Sequence, residues 1–324
     1  AHLRPVRRPV SRKWFAAAAC LLLFLGVAFA AAVAVRTFSV AAGPETSTVP
    51  AVPPASGSDR VVGIVAVAET AAATVRTADV GLTGAGLSTV YVATNGDDSA
   101  VGTVDAPFLT ISNAITQLGV DGGTVIVEPG TYPISKELTV TGAVHVCGRT
   151  GHPQEVVVTN TASPAWNIDC RVFNLNHARA FVSGLTISGG RTSDSSAGGN
   201  VQILDAGGTV SNCIITCGAA RGNSIAPGIY LNGRDGLVTH CVVTSNSGIE
   251  PPPWAGNSGN AVYILQGRVE NCLIAHNTTS TTSGDRSASV YVKNGSLVNC
   301  TIITNLANFC GGVLIGSAKG GVTN

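Results

Sequence analysis

Apolar and polar residues alternate in short segments that return at a regular interval along the second half of the chain. Four of these segments share an apolar residue, two variable residues, a cysteine and another apolar residue two places later; they begin at Val210, Val238, Val269 and Leu297. The steps between their cysteines are 28, 31 and 28 residues. An earlier copy, Phe181 to Thr186, carries Gly184 in the cysteine position. Such a repeat indicates stacked units of one supersecondary structure.

A second alternating segment lies between successive cysteine segments. Its copies are Val201–Ile203, Ile229–Leu231, Val262–Ile264, Val290–Val292 and Val313–Ile315. Alternation with a period of two buries one face of a strand. A unit with two or three short strands cannot enclose a core alone, but it can do so by pairing in parallel with its neighbours. We therefore predict an all-β protein, a right-handed parallel β-helix.

Residues 107–119 follow a different period. Apolar residues recur at helical spacing at Phe108, Ile111, Ile115 and Leu118. Pro107 suits the first turn of a helix and Gly119 suits its end. We expect a short N-terminal α-helix that caps the first coil and protects its core and its unpaired strand edges.

The repeated cysteines and asparagines form predicted columns. Cys213, Cys241, Cys272 and Cys300 should stack on the inward side of one strand. Their predicted separation of about 4.8 Å suits a disulfide, but side chains in a ladder point the same way. We interpret them as buried, unpaired thiols, and no closely spaced ligand pairs indicate zinc.

Asparagine occupies two further repeated positions. Asn212, Asn271 and Asn299 precede the cysteine, with His240 replacing asparagine once, and Asn246, Asn277 and Asn305 follow it by five residues. Asparagine tolerates left-handed backbone and bonds neighbouring peptide groups. We expect both sets to be structural, with amides bonded from coil to coil.

The N-terminal residues have the character of an export leader. Five basic residues among the first thirteen precede an apolar run from Trp14 to Val35. This order sends the following chain across a membrane, so we expect an extracytoplasmic protein, secreted or anchored at the cell surface. Residues 1–36 are either a cleaved signal peptide or a retained anchor. Residues 37–88 form a Pro/Ala/Thr-rich linker, and residues 89–324 form the β-helix.

Composition narrows the expected partners. The net charge is +1 and charged residues make up 11% of the chain, so no concentrated basic surface for nucleic acid is expected. We expect a monomer that meets the membrane only through its N-terminal segment. The chain contains no Met and stops one residue before the next ladder position, so we expect a piece of a longer protein with further coils.

The chain also resembles a known family. The loop Asn95-Gly-Asp-Asp98, the Pro107-Phe108 segment and the Gly122–Tyr132 strand and turn resemble the opening of pectin-lyase-like right-handed β-helix proteins. The later Asn-Cys coils resemble right-handed β-helix repeat proteins of bacterial surfaces. The resemblance covers roughly residues 89–324 and implies the fold, with polysaccharide as the usual ligand class. The catalytic motifs of polygalacturonases are missing, which argues against a two-carboxylate hydrolase.

The best binding candidates are aromatic. Tyr230, Tyr263 and Tyr291 occupy the outward middle position of the same strand in three consecutive coils, between Gln202 and Leu314. Long insertions precede this strand, and one of them carries Trp254 after three prolines. An aromatic stripe beside stacked loops suits a glycan. Alternatively, the tyrosines stack on one another beneath the loops, and Trp254 pins its own loop.

Candidates for chemistry and metal binding are weaker. Asp285-Arg286 and Arg234-Asp235 each combine a possible base with a group that could stabilise developing charge, although adjacent Asp and Arg residues in turns are usually just surface charge. The sequence indicates no certain cofactor; Asp97, Asp98 and Asp105 could bind calcium, but they could as easily form a solvated turn.

Two functions fit the sequence. The first is a secreted or surface β-helix that binds polysaccharide along the exposed strand face and in one version cleaves it as a lyase or hydrolase. The second is a non-catalytic structural surface protein or adhesin, because this fold serves both purposes.

Overall fold

The protein is described here from a computed structural model, which covers residues 88–161, 170–193, 196–220, 224–248, 261–279, 288–307, 310–316 and 320–323. Nearly all of these residues belong to a right-handed parallel β-helix of about 6 turns, as the sequence predicts. Residues Thr83–Asn324 form one compact unit. Within the described ranges, no helix has the length and apolar content needed to cross a membrane. The predicted leader and almost all of the predicted linker lie outside those ranges.

The strands form four parallel sheets. Sheet A contains β1 (Ser88–Val92), β2 (Gly123–Val127), β5 (Val144–Gly148), β8 (Phe181–Ser183), β12 (Thr209–Ser211), β16 (Leu237–Thr239), β20 (Arg268–Glu270), β24 (Ser296–Val298) and β28 (Gly321–Thr323). Sheet B contains β3 (Gly130–Ile134), β6 (Val156–Asn160), β9 (Thr186–Ser188), β13 (Ile214–Thr216), β17 (Val242–Thr244), β21 (Leu273–Ala275) and β25 (Thr301–Ile303).

Sheet C contains β4 (Leu138–Val140), β7 (Phe173–Leu175), β11 (Val201–Ile203), β15 (Ile229–Leu231), β19 (Val262–Ile264), β23 (Ala288–Val292) and β27 (Cys310–Ile315). The short sheet D contains β10 (Arg191–Thr192), β14 (Ala219–Ala220), β18 (Ser247–Gly248), β22 (Thr278–Thr279) and β26 (Leu306–Ala307). From β8 onward, each coil runs through sheets A, B, D and C in that order, and the long insertions connect sheet D to sheet C.

Most strands bury alternate side chains against the shared core. Val210, Val238 and Val269 pair in register on sheet A, and each is fully buried. Sheet C contributes pairs such as Val201 and Ile203, which are also fully buried. Burial of apolar surface at about 25 cal/mol per Å² is the main stabilising contribution of such a core.

The corner between sheets A and B requires a left-handed residue in every later coil. The φ angles of Asn212, His240, Asn271 and Asn299 are 47°, 53°, 52° and 47°, so the structural role predicted for these residues is confirmed. The predicted alignment of Gly184 with the cysteines is wrong by one residue. Val182 pairs with Val210, which places Gly184 (φ 67°) opposite Asn212 and Leu185 opposite Cys213. Glycine replaces asparagine there because both tolerate this backbone.

The cysteine column is present as unpaired thiols, as predicted. Cys213, Cys241 and Cys272 are at most 3% exposed, Cys300 is half-buried, and all four are free. The backbone N–H of Cys241 donates to Sγ of Cys272 at 3.4 Å. Burial raises the pKa of the Cys241 thiol well above its ordinary value. The hydrogen bond with Cys241 is the main cause that raises the pKa of Cys272 to about 12.

The second asparagine set forms a ladder inside the coils. Nδ2 of Asn246 donates to Oδ1 of Asn277 at 2.9 Å, and Nδ2 of Asn277 donates to Oδ1 of Asn305 at 3.0 Å. These coil-to-coil bonds confirm the prediction. The sequence did not indicate a fourth member, Asn200, whose Nδ2 donates to Oδ1 of Asn246 at 2.9 Å. Asn200 enters from the start of β11 because Gly218 leaves the space: a Cβ there would lie 2.6 Å from Nδ2 of Asn200.

The helix α1 (Ile111–Leu118) caps the first coil, as predicted. It contacts β1, β2 and β4, and it buries Ile111, Ala114 and Leu118. The helix begins later than the Pro107 start that the sequence suggested. Thr110 is its N-cap because Oγ1 accepts a hydrogen bond from the backbone N–H of Asn113 at 3.2 Å.

Candidate functional site

The outer face of sheet C carries a continuous column of middle-position side chains, here called the outer column. In coil order its members are Thr139, Asn174, Gln202, Tyr230, Tyr263, Tyr291 and Leu314. The strand neighbours of each middle residue face the core, so the alternation directs the column away from it. The tyrosines therefore occupy consecutive coils in the register that the sequence predicts.

The three tyrosine rings stack on one another. Ring centroids of Tyr230 and Tyr263 lie 5.7 Å apart at 33°, and those of Tyr263 and Tyr291 lie 4.8 Å apart at 26°. The Tyr263 ring therefore has a neighbouring ring on each side. Tyr291 is only 6% exposed, and a Cβ on Gly316 would lie 1.9 Å from its hydroxyl oxygen. Ligand binding along the stripe stays a prediction.

A charged cluster lies at the N-terminal end of the outer column. Arg171 forms an ion pair through Nη1 with Oε2 of Glu137. Nε and Nη2 of Arg171 donate to the carbonyl oxygen of Ala197 at 3.0 and 2.7 Å, and Nε also donates to that of Gly198 at 2.9 Å. All three guanidinium nitrogens are thus engaged, and the side chain is 12% exposed. The arginine ties the loop before β11 to the acid beside β4.

Asn174 joins this cluster from the outer column. Its Nδ2 donates to Oε1 of Glu137 at 2.9 Å, and Thr139 donates to the same oxygen at 3.3 Å. Oδ1 of Asn174 is buried and makes no hydrogen bond within the described part of the chain. Unmet buried acceptors are uncommon because each costs about 1–3 kcal/mol. The acceptor that the cluster leaves accessible is the Glu137 carboxylate, whose side chain is 28% exposed.

A row of polar side chains, here called the amide row, follows the turns from sheet C to sheet A. Nδ2 of Asn232 donates to Oδ1 of Asp205 at 2.7 Å, and Nε2 of Gln266 donates to Oδ1 of Asn232 at 3.5 Å. In the preceding coil, Oδ1 of Asn176 accepts from the backbone N–H of Ala206 at 3.1 Å. Burial, with a smaller contribution from the Asp205 charge, raises the pKa of Tyr230.

The sequence contains a signal for the amide row but not for the charged cluster. Asn176 and Asn232 each follow the last residue of a sheet C strand, and Asp205 and Gln266 follow by two places. A search for polar residues one or two places after each of these strands would have found the row. Glu137 and Arg171 are 34 residues apart and have no repeated counterpart, so only the structure brings them together.

One predicted catalytic pair, Arg234-Asp235, lies among the described residues. Arg234 and Asp235 lie exposed in the turn after β15, and neither makes an ion pair within the described residues. Arg234 lines a polar groove of about 520 Å³ with Gln266 and Asn294. Trp254, Asp285 and Arg286 lie outside the described residues, so their roles stay predictions.

The acidic residues of the opening loop have structural partners. Oδ1 of Asp98 accepts from the backbone N–H groups of Leu109 and Thr110 at 3.1 and 2.8 Å, and Oδ2 accepts from the Thr110 hydroxyl. Asp97 accepts two hydrogen bonds from Ser99, and its bond from the Ser99 backbone is the main cause that lowers its pKa. Asp105 is exposed. Across the described ranges, no group of three or more His, Cys, Asp or Glu residues is arranged to hold a metal ion.

Comparisons with known proteins add little to this geometry. No protein-family model and no curated protein matches the chain. A solved structure of a rhamnogalacturonan lyase is similar to the chain at 17% sequence identity and a TM-score of 0.35, over 70% of this chain and 72% of that one. A likeness of this size carries no argument about activity. The fold assignment rests on the strand topology itself.

Proposed function

We propose that this chain is an extracytoplasmic β-helix protein of the pectin-lyase-like superfamily and that the outer face of sheet C binds polysaccharide. The observation that carries the proposal is the outer column, in which polar and phenolic side chains repeat at the coil spacing along six consecutive paired strands, from Thr139 to Tyr291. A polymer that repeats the same groups along a line matches a surface that does so. The solenoid supplies that surface because each coil places its side chains beside those of the next.

The walls of the face support the same proposal. The amide row borders the column on the side of the turns to sheet A, and from β11 onward the chain enters each sheet C strand from sheet D on the opposite side. Amide and carboxylate groups bond hydroxyls in the defined directions that polar ligand recognition requires. The basic and apolar leader supports export, and export would bring the protein to polysaccharides outside the cytoplasm.

The test is binding and turnover on a panel of neutral and acidic polysaccharides, with and without calcium. We expect the full chain to bind at least one polymer, and we expect the double substitution Gln202→Ala and Tyr230→Ala to abolish binding. Thr209→Ala, at an outward position of sheet A away from the proposed face, serves as the control. Products followed by mass detection decide the chemistry: unsaturated fragments indicate a lyase and hydrated fragments a hydrolase.

A scaffold or adhesin is the second candidate function. The stacking of the tyrosines and the burial of Tyr291 favour it, because rings packed on one another stabilise the solenoid without a ligand. Unchanged and unbound polymers across the whole panel would exclude the polysaccharide proposal and leave this one.

A further inference from the structure

We infer that the N-terminal end of sheet B binds an extended peptide with a free C-terminal carboxylate, which adds to the edge of β3 as one further parallel strand. This site lies at the capped end of the solenoid and does not depend on the polysaccharide proposal. Three features carry the inference: an open strand edge, an apolar cavity beside it and a cation near the C-terminal end of the strand.

The edge of β3 is open because this strand is the first of sheet B and pairs only with β6. The backbone N–H of Gly130 donates toward the β6 side, and the carbonyl oxygen of Ile134 accepts from it, both at 2.8 Å. Backbone groups alternate between the two sides of a parallel strand, so those of Thr131 and Pro133 point away from β6. Among the described residues these groups have no hydrogen-bond partner. Because proline has no N–H, the edge offers a ligand one donor and two acceptors.

A cavity of about 420 Å³ lies beside this edge. The helix α1 contacts β1, β2 and β4, and the cavity remains between the start of the helix and β3. Its apolar lining includes Leu109, Ile111, Tyr132 and Leu138, and Leu109 is 43% exposed. Ligand pockets are mostly apolar and measure about 300–1,000 Å³, so this volume suits a short segment. A strand added to β3 would direct alternate side chains into it.

The charge of the cavity favours an anionic group at one end. Its described lining contains one charged side chain, that of Lys136, two residues after the end of β3. Lys136 is exposed and makes no ion pair with another described residue. The adjacent Glu137 carboxylate is already paired with Arg171. A peptide that runs parallel to β3 ends beside Lys136, where its terminal carboxylate can accept a charge-assisted hydrogen bond.

A peptide is the ligand class that uses all three features. Its backbone N–H and C=O groups match the edge of β3, its alternate side chains fill the cavity, and its carboxylate pairs with the cation. A fatty acid would use only the cavity and the cation. A glycan has no apolar side chain for the cavity.

The test is calorimetric titration of the full chain with acetylated tetrapeptides of the pattern Thr-Val-Thr-X, in which X is Leu, Ile, Val or Phe. We expect at least one free acid to bind, and its C-terminal amide to bind more weakly by about tenfold or more, because a charge-assisted hydrogen bond is lost. Lys136→Gln should weaken binding of the free acid by the same factor and leave that of the amide unchanged. Lys293→Gln, at an exposed lysine in the turn after β23, is the matched control and should have no effect.

A second pair of variants tests the strand edge. Thr131→Pro removes the outward N–H without removing a hydrogen bond to β6, and Pro133 shows that this edge accommodates proline. We expect Thr131→Pro to abolish binding, whereas Thr131→Val keeps the N–H and should bind as the unaltered chain does. Melting curves establish that the variants are folded. If Thr131→Pro does not fold, Lys136→Gln changes only an exposed side chain and keeps the test decisive.

Each contrary outcome overturns the inference. Equal binding of acids and amides would exclude recognition of the carboxylate, and unchanged binding by folded Thr131→Pro would exclude the strand edge. Hexanoate that binds as tightly as the best peptide would show that the backbone of the ligand contributes nothing. Binding of none of the four peptides would also overturn the inference. The double substitution Gln202→Ala and Tyr230→Ala should leave peptide binding intact, so failure here is distinguishable from failure of the polysaccharide proposal.

Discussion

At the scale of single residues, a few side chains determine how the coils turn and stack. Asparagine or histidine in the left-handed conformation closes the corner between sheets A and B. At the next corner of each coil, between sheets B and D, the side chains of Asn246, Asn277 and Asn305 form the ladder. Asn246 and Asn277 are fully buried. The same residue type thus serves two roles: backbone tolerance at the first corner and amide pairing at the second.

Asn277 lies within the ladder and bonds to Asn246 on one side and to Asn305 on the other. Its Nδ2 donates to Val243 at 2.9 Å and to Ala275 at 3.1 Å, as well as to Asn305. Replacement by Ala leaves these buried carbonyls unmet, so Asn277→Ala should lower the free energy of unfolding by at least about 1–3 kcal/mol. Chemical denaturation measures the change. Asn95→Ala, in an exposed loop, should have no measurable effect, and equal stability of both variants would refute the ladder's contribution.

The cysteine column makes stability dependent on alkaline pH. The pKa of Cys272 rises from 9.0 to about 12 on folding, chiefly through its hydrogen bond with Cys241. The folded state favours the neutral thiol, so this contribution is complete below the unfolded value of 9.0 and decreases as pH rises toward about 12. Urea midpoints measured across this range should fall with pH, and they should fall less steeply in Cys272→Ala. Parallel slopes would contradict the assignment to this thiol.

At the scale of elements, the opening loop and α1 act as one capping unit. The Asp98 carboxylate holds the backbone N–H groups of Leu109 and Thr110, and Thr110 in turn caps the helix. The helix then buries Ile111 and Leu118 over the first coil. A carboxylate at the start of a helix also interacts favourably with the helix dipole. The acidic loop therefore has a structural role whether or not it binds calcium.

This role can be separated from calcium binding. Asp98→Ala should cost about 1–2 kcal/mol because it removes charge-assisted hydrogen bonds at an exposed site. Asp105→Ala should change stability by less than about 0.5 kcal/mol, the usual range for exposed surface positions. Thermal unfolding with calcium and with a chelator completes the test. A calcium-dependent rise in melting temperature that both substitutions remove would favour the metal site.

At the scale of the whole molecule, the two ends of the described solenoid differ. The N-terminal coil is covered by α1, whereas inward positions of the last coil remain open. Ile315 and Val322 are 50% and 43% exposed, although their register partners Val292 and Leu297 are 0% and 2% exposed. Exposed apolar residues and unpaired strand edges together weaken local stability.

Hydrogen exchange should reveal this gradient. Amides of β13 and β17 in the central coils should be protected up to the free energy of global unfolding, and those of β25 and β27 should exchange faster through local opening. The capped β2 serves as the internal control for the opposite end. Exchange measured by mass spectrometry on this chain decides the matter. Equal protection of β25 and β17 would contradict the predicted gradient.

The repeat, the parallel β-helix, the inward cysteines and the coil-to-coil asparagines follow from the sequence alone. Each depends on local burial periodicity or on backbone preference, and both recur in every coil. The same periodicity locates the tyrosines on one outward column.

Several contacts could be found only from the tertiary structure. The alignment of Gly184 with Asn212 required the observed register. Aligning this glycine with Asn212 or with Cys213 keeps an apolar pattern in both cases, so the sequence does not distinguish the two. Asn200 reaches the ladder from another strand, and Arg171 meets Glu137 across 34 residues of chain. These contacts cross insertions of unequal length, so no fixed spacing encodes them. Likewise, the tilt at which the tyrosine rings stack, and therefore what they leave for a ligand, depends on packing that sequence periodicity does not specify.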